Sequence, residues 1–238
     1  MGRQEQQENL IFRLGGLFTI LVLTGIIIDI VAGNITGGDI HSLPQTAIER
    51  FQQLHENWIL GLYNLDLLNI INQILLLPVY FALYLALRKE HPIALLALII
   101  FLIGTTLFIA GNNALTMLDL SHKYYTVTSE LQKSMLAAAG EAMLAKGAHG
   151  SLGVFVGFTL PTIGSLLMAS SMTGSVAFSK LFSWLGVAGN ALMIVYLIFV
   201  TFIPSSGKFA LVLAMPGGLL IMAWMVSFMV SIFKLASR

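Results

Sequence analysis

Tyr63, Asp66, Asn69 and Gln73 recur at helical spacing inside the otherwise apolar stretch 63–87, YNLDLLNIINQILLLPVYFALYLAL. At about 100° per residue, Asn69, Gln73, Tyr80 and Tyr84 fall within about 60° of Asp66, with Tyr63 about 60° to the other side. Asn72 flanks this face. Polar side chains in a membrane helix are costly and face protein or water rather than lipid. A carboxylate surrounded by amides offers hard oxygen ligands, which suit a cation. The same groups would hydrogen-bond a small polar solute or a lipid headgroup. The plainer reading of each amide is an interhelical hydrogen bond, typically under about 2 kcal/mol.

Other segments reach the same level. Counting about 20 residues at 1.5 Å each from Arg88 reaches Asn69. The same length reaches Asn112 from Ile93, and Asp29 from Leu10. Thr105, Asn112, Thr116 and Asp119 share a helical face, and Glu141 edges the apolar face of a later helix, flanked by Glu130 and Ser134. The expected ligand-binding set is therefore Tyr63, Asp66, Asn69, Gln73, Asn112, Asp119 and Glu141, lining an outward-facing polar pocket. Asp66, Glu141 and His149 are the candidate metal ligands. A boundary histidine is more often structural or solvated than a ligand, and a glutamate such as Glu141 is as readily explained by solvation.

The elements that position these residues are helices. The spans fall at 10–31, 58–87, 93–118, 149–172, 178–203 and 209–233, each near or above the roughly 20 residues that cross a bilayer core. The first has a basic start, but its apolar core is long for a signal peptide and no A-x-A site follows, so it reads as a permanent helix. Residues 33–57 form a loop. Within it, PQTAIERFQQLHEN from Pro44 has Ala47, Phe51 and Leu54 at helical spacing and predicts a short interfacial helix, followed by an interfacial Trp58. The RKEHP link makes spans two and three a tight antiparallel hairpin. SELQKSMLAAAGEAMLAKG, starting at Ser129, is rich in strong helix formers and predicts an outer-side amphipathic helix between spans three and four. His149, Gly153, Gly157, Pro161 and Ser165 then recur every four residues, a stripe of mostly small side chains suited to close packing. The fold class is all-α, a single integral membrane domain of six spanning helices over residues 1–238. The first three spans show no convincing repeat of the last three.

Composition supports this. The chain of 238 residues is 57% hydrophobic and only 10% charged, with mean hydropathy +0.88; soluble domains carry roughly 25% charged residues. A net charge of +1 gives no basis for a nucleic-acid partner. The absence of cysteine removes disulfides, thiolate catalysis, cysteine-ligated zinc and iron–sulfur clusters together. No histidine lies mid-span, which weakens a membrane haem. No cofactor is expected beyond a bound cation.

Six spans put both termini on one side. With the termini inside, Arg3, Arg13, Arg88, Lys89, Lys180, Lys234 and Arg238 lie inside, and Arg50, Lys123, Lys133, Lys146 and Lys208 outside. This bias favours cytoplasmic termini in a plasma membrane.

The segments LYNLDLLNIINQILLLPVYFALYLALR, NNALTMLDLSHKYY and LAAAGEAMLA, with Leu65-Asp66-Leu67-Leu68-Asn69 and Ala139-Gly140-Glu141-Ala142 the most specific, carry a resemblance. The chain resembles an uncharacterised bacterial and archaeal family of multi-pass membrane proteins, a domain of unknown function. The resemblance runs from about Leu10 into the sixth span. It implies a polytopic membrane protein and supports Asp66, Asn69, Asn112 and Glu141 as site positions, without implying an activity. Relatives often place a Gly-Thr pair after the second motif, where this chain has Gly147, Ala148, His149 and Gly150.

Three functions compete. Binding or transport of a cation, small polar solute or lipid headgroup uses the polar face directly. An intramembrane hydrolase would need carboxylates and His149 or His122 to hold a metal that activates water, yet HExxH, GxSxG and multi-histidine patterns are absent. An accessory subunit would pair its polar face with another chain or another copy. The sequence favours binding over catalysis without deciding between them; no stoichiometric transition metal is expected, and the lipid bilayer is the constant partner.

Overall fold

The computed structural model describes residues 3–36, 43–147, 151–203 and 207–237. They form ten helices and, among these residues, no strand. In chain order these are α1 (Arg3–Thr36), α2 (Ala47–Glu56), α3 (Trp58–Tyr63), α4 (Leu67–Leu87), α5 (Ile93–Gly111), α6 (Ala114–Thr126), α7 (Glu130–Gly147), α8 (Leu152–Met172), α9 (Lys180–Phe202) and α10 (Gly207–Leu235). Six helices among the described residues are long and apolar enough to cross a membrane.

The long helices α1, α4, α5, α8, α9 and α10 close a ring in chain order, each packed on the next and α10 returning to α1. α4 also touches α8 and α10. Their large exposed side chains, such as Leu17, Ile27, Ile103, Val195 and Val230, suit a lipid environment. Between helices the apolar effect is weak in lipid, so close approach of small residues carries the packing. The α5–α8 seam shows this. A Cβ at Gly104 would lie 2.6 Å from Pro161 N, and one at Gly164 2.8 Å from Phe101 N. The stripe of Gly157, Pro161 and Ser165 therefore faces α5 and α4, with Tyr80 and Ser165 hydrogen-bonded through their hydroxyls. At the end carrying the α4–α5 link, Arg88 donates to Glu8 at 2.6 Å, tying α1 to that hairpin.

At the other end, α2, α3, α6 and α7 form a cap with its own core of Ala47, Phe51, Leu54, Leu62, Leu65, Ala114, Met117 and Leu144. α2 begins with a capping box: Thr46 Oγ1 accepts from Glu49 N, and Glu49 Oε2 accepts from Thr46 N. Ala47, Phe51 and Leu54 then turn inward.

Two expected spans differ from the sequence reading. The second, expected as one helix over 58–87, is interrupted at residues 64–66, between α3 and α4. The third, expected over 93–118, breaks at Asn112–Asn113 and runs on as α6 to Thr126. Asparagine and aspartate compete with helical hydrogen bonding through their own side chains, and both breaks occur at such residues.

Candidate functional site

The two interruptions lie side by side and share a strut. Asn112 ends α5 in an extended conformation, φ −70° and ψ 140°. Its Nδ2 donates to the Leu65 carbonyl at 2.8 Å, and its Oδ1 accepts from Ala114 N at 2.8 Å. One amide thus satisfies a carbonyl of the first break and an N–H of the second. Broken backbone near a membrane persists only where its polar groups find such partners. Next to it, buried Asn113 donates to the Met143 carbonyl at 2.7 Å, bringing in α7.

Asp66 occupies the turn into α4 with φ 64° and ψ 21°, the sole left-handed non-glycine among the described residues. Aspartate tolerates this region better than most residues. Its Oδ1 accepts from Asn69 Nδ2 at 2.8 Å. The Tyr63 hydroxyl donates to the Asp29 carbonyl at 3.1 Å, which draws α1 to the same place. Burial first, then the Asp29 side chain through hydrogen bonding and charge, and last the charge of Asp66, raise the Tyr63 pKa well above its ordinary value. Two carboxylates therefore act on one phenol at the breaks.

A cation faces them from α2. Arg50 is only 7% exposed. Its Nη1 donates to the Asn64 carbonyl at 3.3 Å, while Nε has no hydrogen-bond partner among the described residues. Burial lowers the Arg50 pKa, and the negative charges of Asp66 and Glu49 oppose that shift. From sequence alone Arg50 counts only as an outer basic residue. Its place one position before Phe51, on the flank of the Ala47–Phe51–Leu54 face, was the available signal.

Below the breaks α4 carries polar groups inward. Gln73 Oε1 accepts from buried Thr105 Oγ1 at 3.2 Å. Asn72 is 8% exposed and packs against α1 where Gly25 leaves room; a Cβ at 25 would overlap its amide. Asn72 Oδ1 has no partner among the described residues.

The structure brings Tyr63, Asp66, Asn69 and Asn112 together at the breaks, with Gln73 one turn deeper. Glu141 and Asp119 have other engagements. Glu141 Oε1 accepts from Ala47 N at 2.7 Å and so caps α2. Asp119 lies exposed in an ion pair with Lys123 at 2.6 Å. His149 lies outside the described residues. Among the described residues, no three of histidine, aspartate and glutamate converge as a metal site. A shallow groove of about 610 Å³ lies along α2 between Gln45, Glu49, Gln53, Glu56 and Asn57, and is lined by none of the expected ligand residues.

The fold is that of a multi-pass helical membrane protein in which two spans lead into a small helical cap through interrupted backbone. The model of a domain of unknown function, DUF4386, matches residues 12–230, and the chain belongs to that family. No curated protein and no solved structure matches it.

Proposed function

We propose that the protein binds, and carries across the membrane, a small cation or a polar solute at the paired helix breaks. Asp66 and Asn69 are the principal ligands, with Tyr63 and Asn112 shaping the site and Gln73 leading inward. One observation carries the reading: Asp66 stands in a left-handed turn at a helix interruption bridged by Asn112 to a second interruption. Interrupted helices supply polar backbone and side chains where a continuous helix offers neither, and ion and solute sites in membrane carriers exploit this. Asp29, Asp66 and Arg50 sum to one net negative charge, which favours a cation over an anion. A zwitterionic lipid headgroup presents a related cationic chemistry.

The basic-residue bias supports a plasma-membrane orientation with cytoplasmic termini, the cap outside and the site facing outward. The alternatives of a metal hydrolase and of an accessory subunit gain no specific observation. The test is thermal stabilisation of the purified protein by sodium, potassium, magnesium or calcium chloride and by phosphocholine. Asp66→Asn and Asn69→Ala should each abolish the response seen in the wild type. An unchanged response in both variants refutes this site.

A further inference from the structure

α4, a helix of 21 residues, starts at the first break without a side-chain cap. A helix leaves its first N–H groups without intrahelical partners. Here the first bond to close runs from Ile70 N to the Asp66 carbonyl at 3.1 Å. The N–H groups of Leu67, Leu68 and Asn69 precede that bond, on half-buried residues. Asp66 engages the Asn69 side chain through Oδ1 and caps none of these amides. Open amides at a helix N-terminus carry partial positive charge and favour an anionic group.

Arg50 adds a full positive charge at the same turn. It is 7% exposed. Its Nη1 donates to the carbonyl of Asn64, three residues before Leu67, at 3.3 Å. The guanidinium therefore lies against the turn from which α4 begins. Its Nε is buried without a partner among the described residues. A buried donor left unpaired is costly, and one acceptor oxygen at this turn would serve both Nε and the α4 amides. Negative charge reaches the turn from another direction. Tyr63, next to Asn64, donates to the Asp29 carbonyl of α1 at 3.1 Å, and Asp66 itself follows. The cation thus comes from α2, and the acids come from α1 and the turn.

We infer that the site takes a zwitterion, with its carboxylate or phosphate at the α4 N-terminus and Arg50, and its ammonium group beside Asp66 and Asp29. Interrupted membrane helices divide a ligand in this way, their N-terminal amides taking the anionic end. A bare cation would leave Arg50 Nε and the amides unsatisfied, and a bare anion would meet two carboxylates. This rests on the binding reading above and narrows its ligand class.

Glycine betaine, phosphocholine and choline share a trimethylammonium group, and only the first two carry an anionic group. Each is titrated into the purified full-length protein in detergent, and the melting temperature is followed. The better zwitterion should half-saturate the wild type at a concentration at least about tenfold below choline, the scale of one charge-assisted hydrogen bond. Betaine ahead marks a carboxylate solute and phosphocholine ahead a phosphate headgroup; either supports the zwitterion. Arg50→Met should shrink that advantage to about twofold or less, and an advantage left intact in this variant removes Arg50 from the site and overturns the inference. If Arg50→Met fails to fold, the wild-type ranking decides alone. A wild-type advantage below about tenfold, or no saturable shift with any of the three, overturns the zwitterion. The cation reading is then decided separately, by the response of the wild type and Asp66→Asn to choline and to the metal chlorides.

Discussion

Replacing Asn112 with alanine should loosen both interruptions at once. The wild-type amide makes two hydrogen bonds of 2.8 Å, to the Leu65 carbonyl and from Ala114 N. Alanine leaves one carbonyl and one N–H without these partners. A buried polar group so stranded costs about 1–3 kcal/mol. Asn112 is half-buried, so water recovers part of this, and about 2–3 kcal/mol in total is expected. Asn112→Asp separates the two bonds. It keeps the acceptor for Ala114 but sets a carboxylate oxygen against the Leu65 carbonyl, so it should be at least as destabilising as alanine. Thr106→Ala, on an exposed position of α5, serves as a control within about 0.5 kcal/mol. Equilibrium unfolding in detergent gives the energies, and hydrogen exchange at residues 65–70 and 114–117 gives the location. An Asn112→Ala protein within about 0.5 kcal/mol of wild type, or with unchanged exchange in both segments, would refute the strut.

Two further outcomes follow from packing and capping. Gly104→Ala should destabilise by about 1–3 kcal/mol through overpacking, since its Cβ would stand 2.6 Å from Pro161 N and 2.7 Å from Leu160 Cβ. Gly218→Ala, which meets nothing within 4 Å, should be neutral or gain up to about 1 kcal/mol from helix propensity; thermal unfolding of the pair checks both. Glu49 is held below its ordinary carboxylate pKa chiefly by the Thr46 and Gln45 amides. Its contribution to the folded state is therefore complete above the ordinary carboxylate range and lost as pH falls through the lowered value. Melting curves of wild type and Glu49→Gln between pH 7 and pH 3 should converge at the acid end, whereas a constant gap would contradict the capping role.

The six spans were legible because each is a long apolar run, a signal that needs no partner to interpret. α2 was legible from Pro44 and the spacing of Ala47, Phe51 and Leu54. The interruptions were not, because hydrophobicity continues across Leu65, Leu67 and Leu68 and across Ala114, Leu115 and Met117. Asn112 bonds the Leu65 carbonyl, 47 residues away in sequence, a pairing that composition does not encode, and the left-handed turn at Asp66 leaves no hydrophobicity signal. Rise per residue puts Asp66, Asn69 and Asn112 at one level; in the structure Asn69 bonds Asp66 and Asn112 bonds the neighbouring Leu65 carbonyl. Glu141 illustrates the limit. Its carboxylate is committed to Ala47 N, 94 residues away, and no local pattern marks an acid as the cap of another helix. Arg50 escaped for the complementary reason: a basic residue in an extramembrane loop ordinarily counts toward topology, and only the cap core turns it inward.

The proposed cation or polar-solute site at the paired breaks is organised by Asp66. The most direct measurement is the melting temperature of the purified protein, wild type and Asp66→Asn, across sodium, potassium, magnesium and calcium chlorides and phosphocholine at constant ionic strength. At least one should raise the wild-type midpoint in a saturable way and leave Asp66→Asn unmoved. A saturable shift of equal size in both proteins, or no shift with any of them, would contradict it.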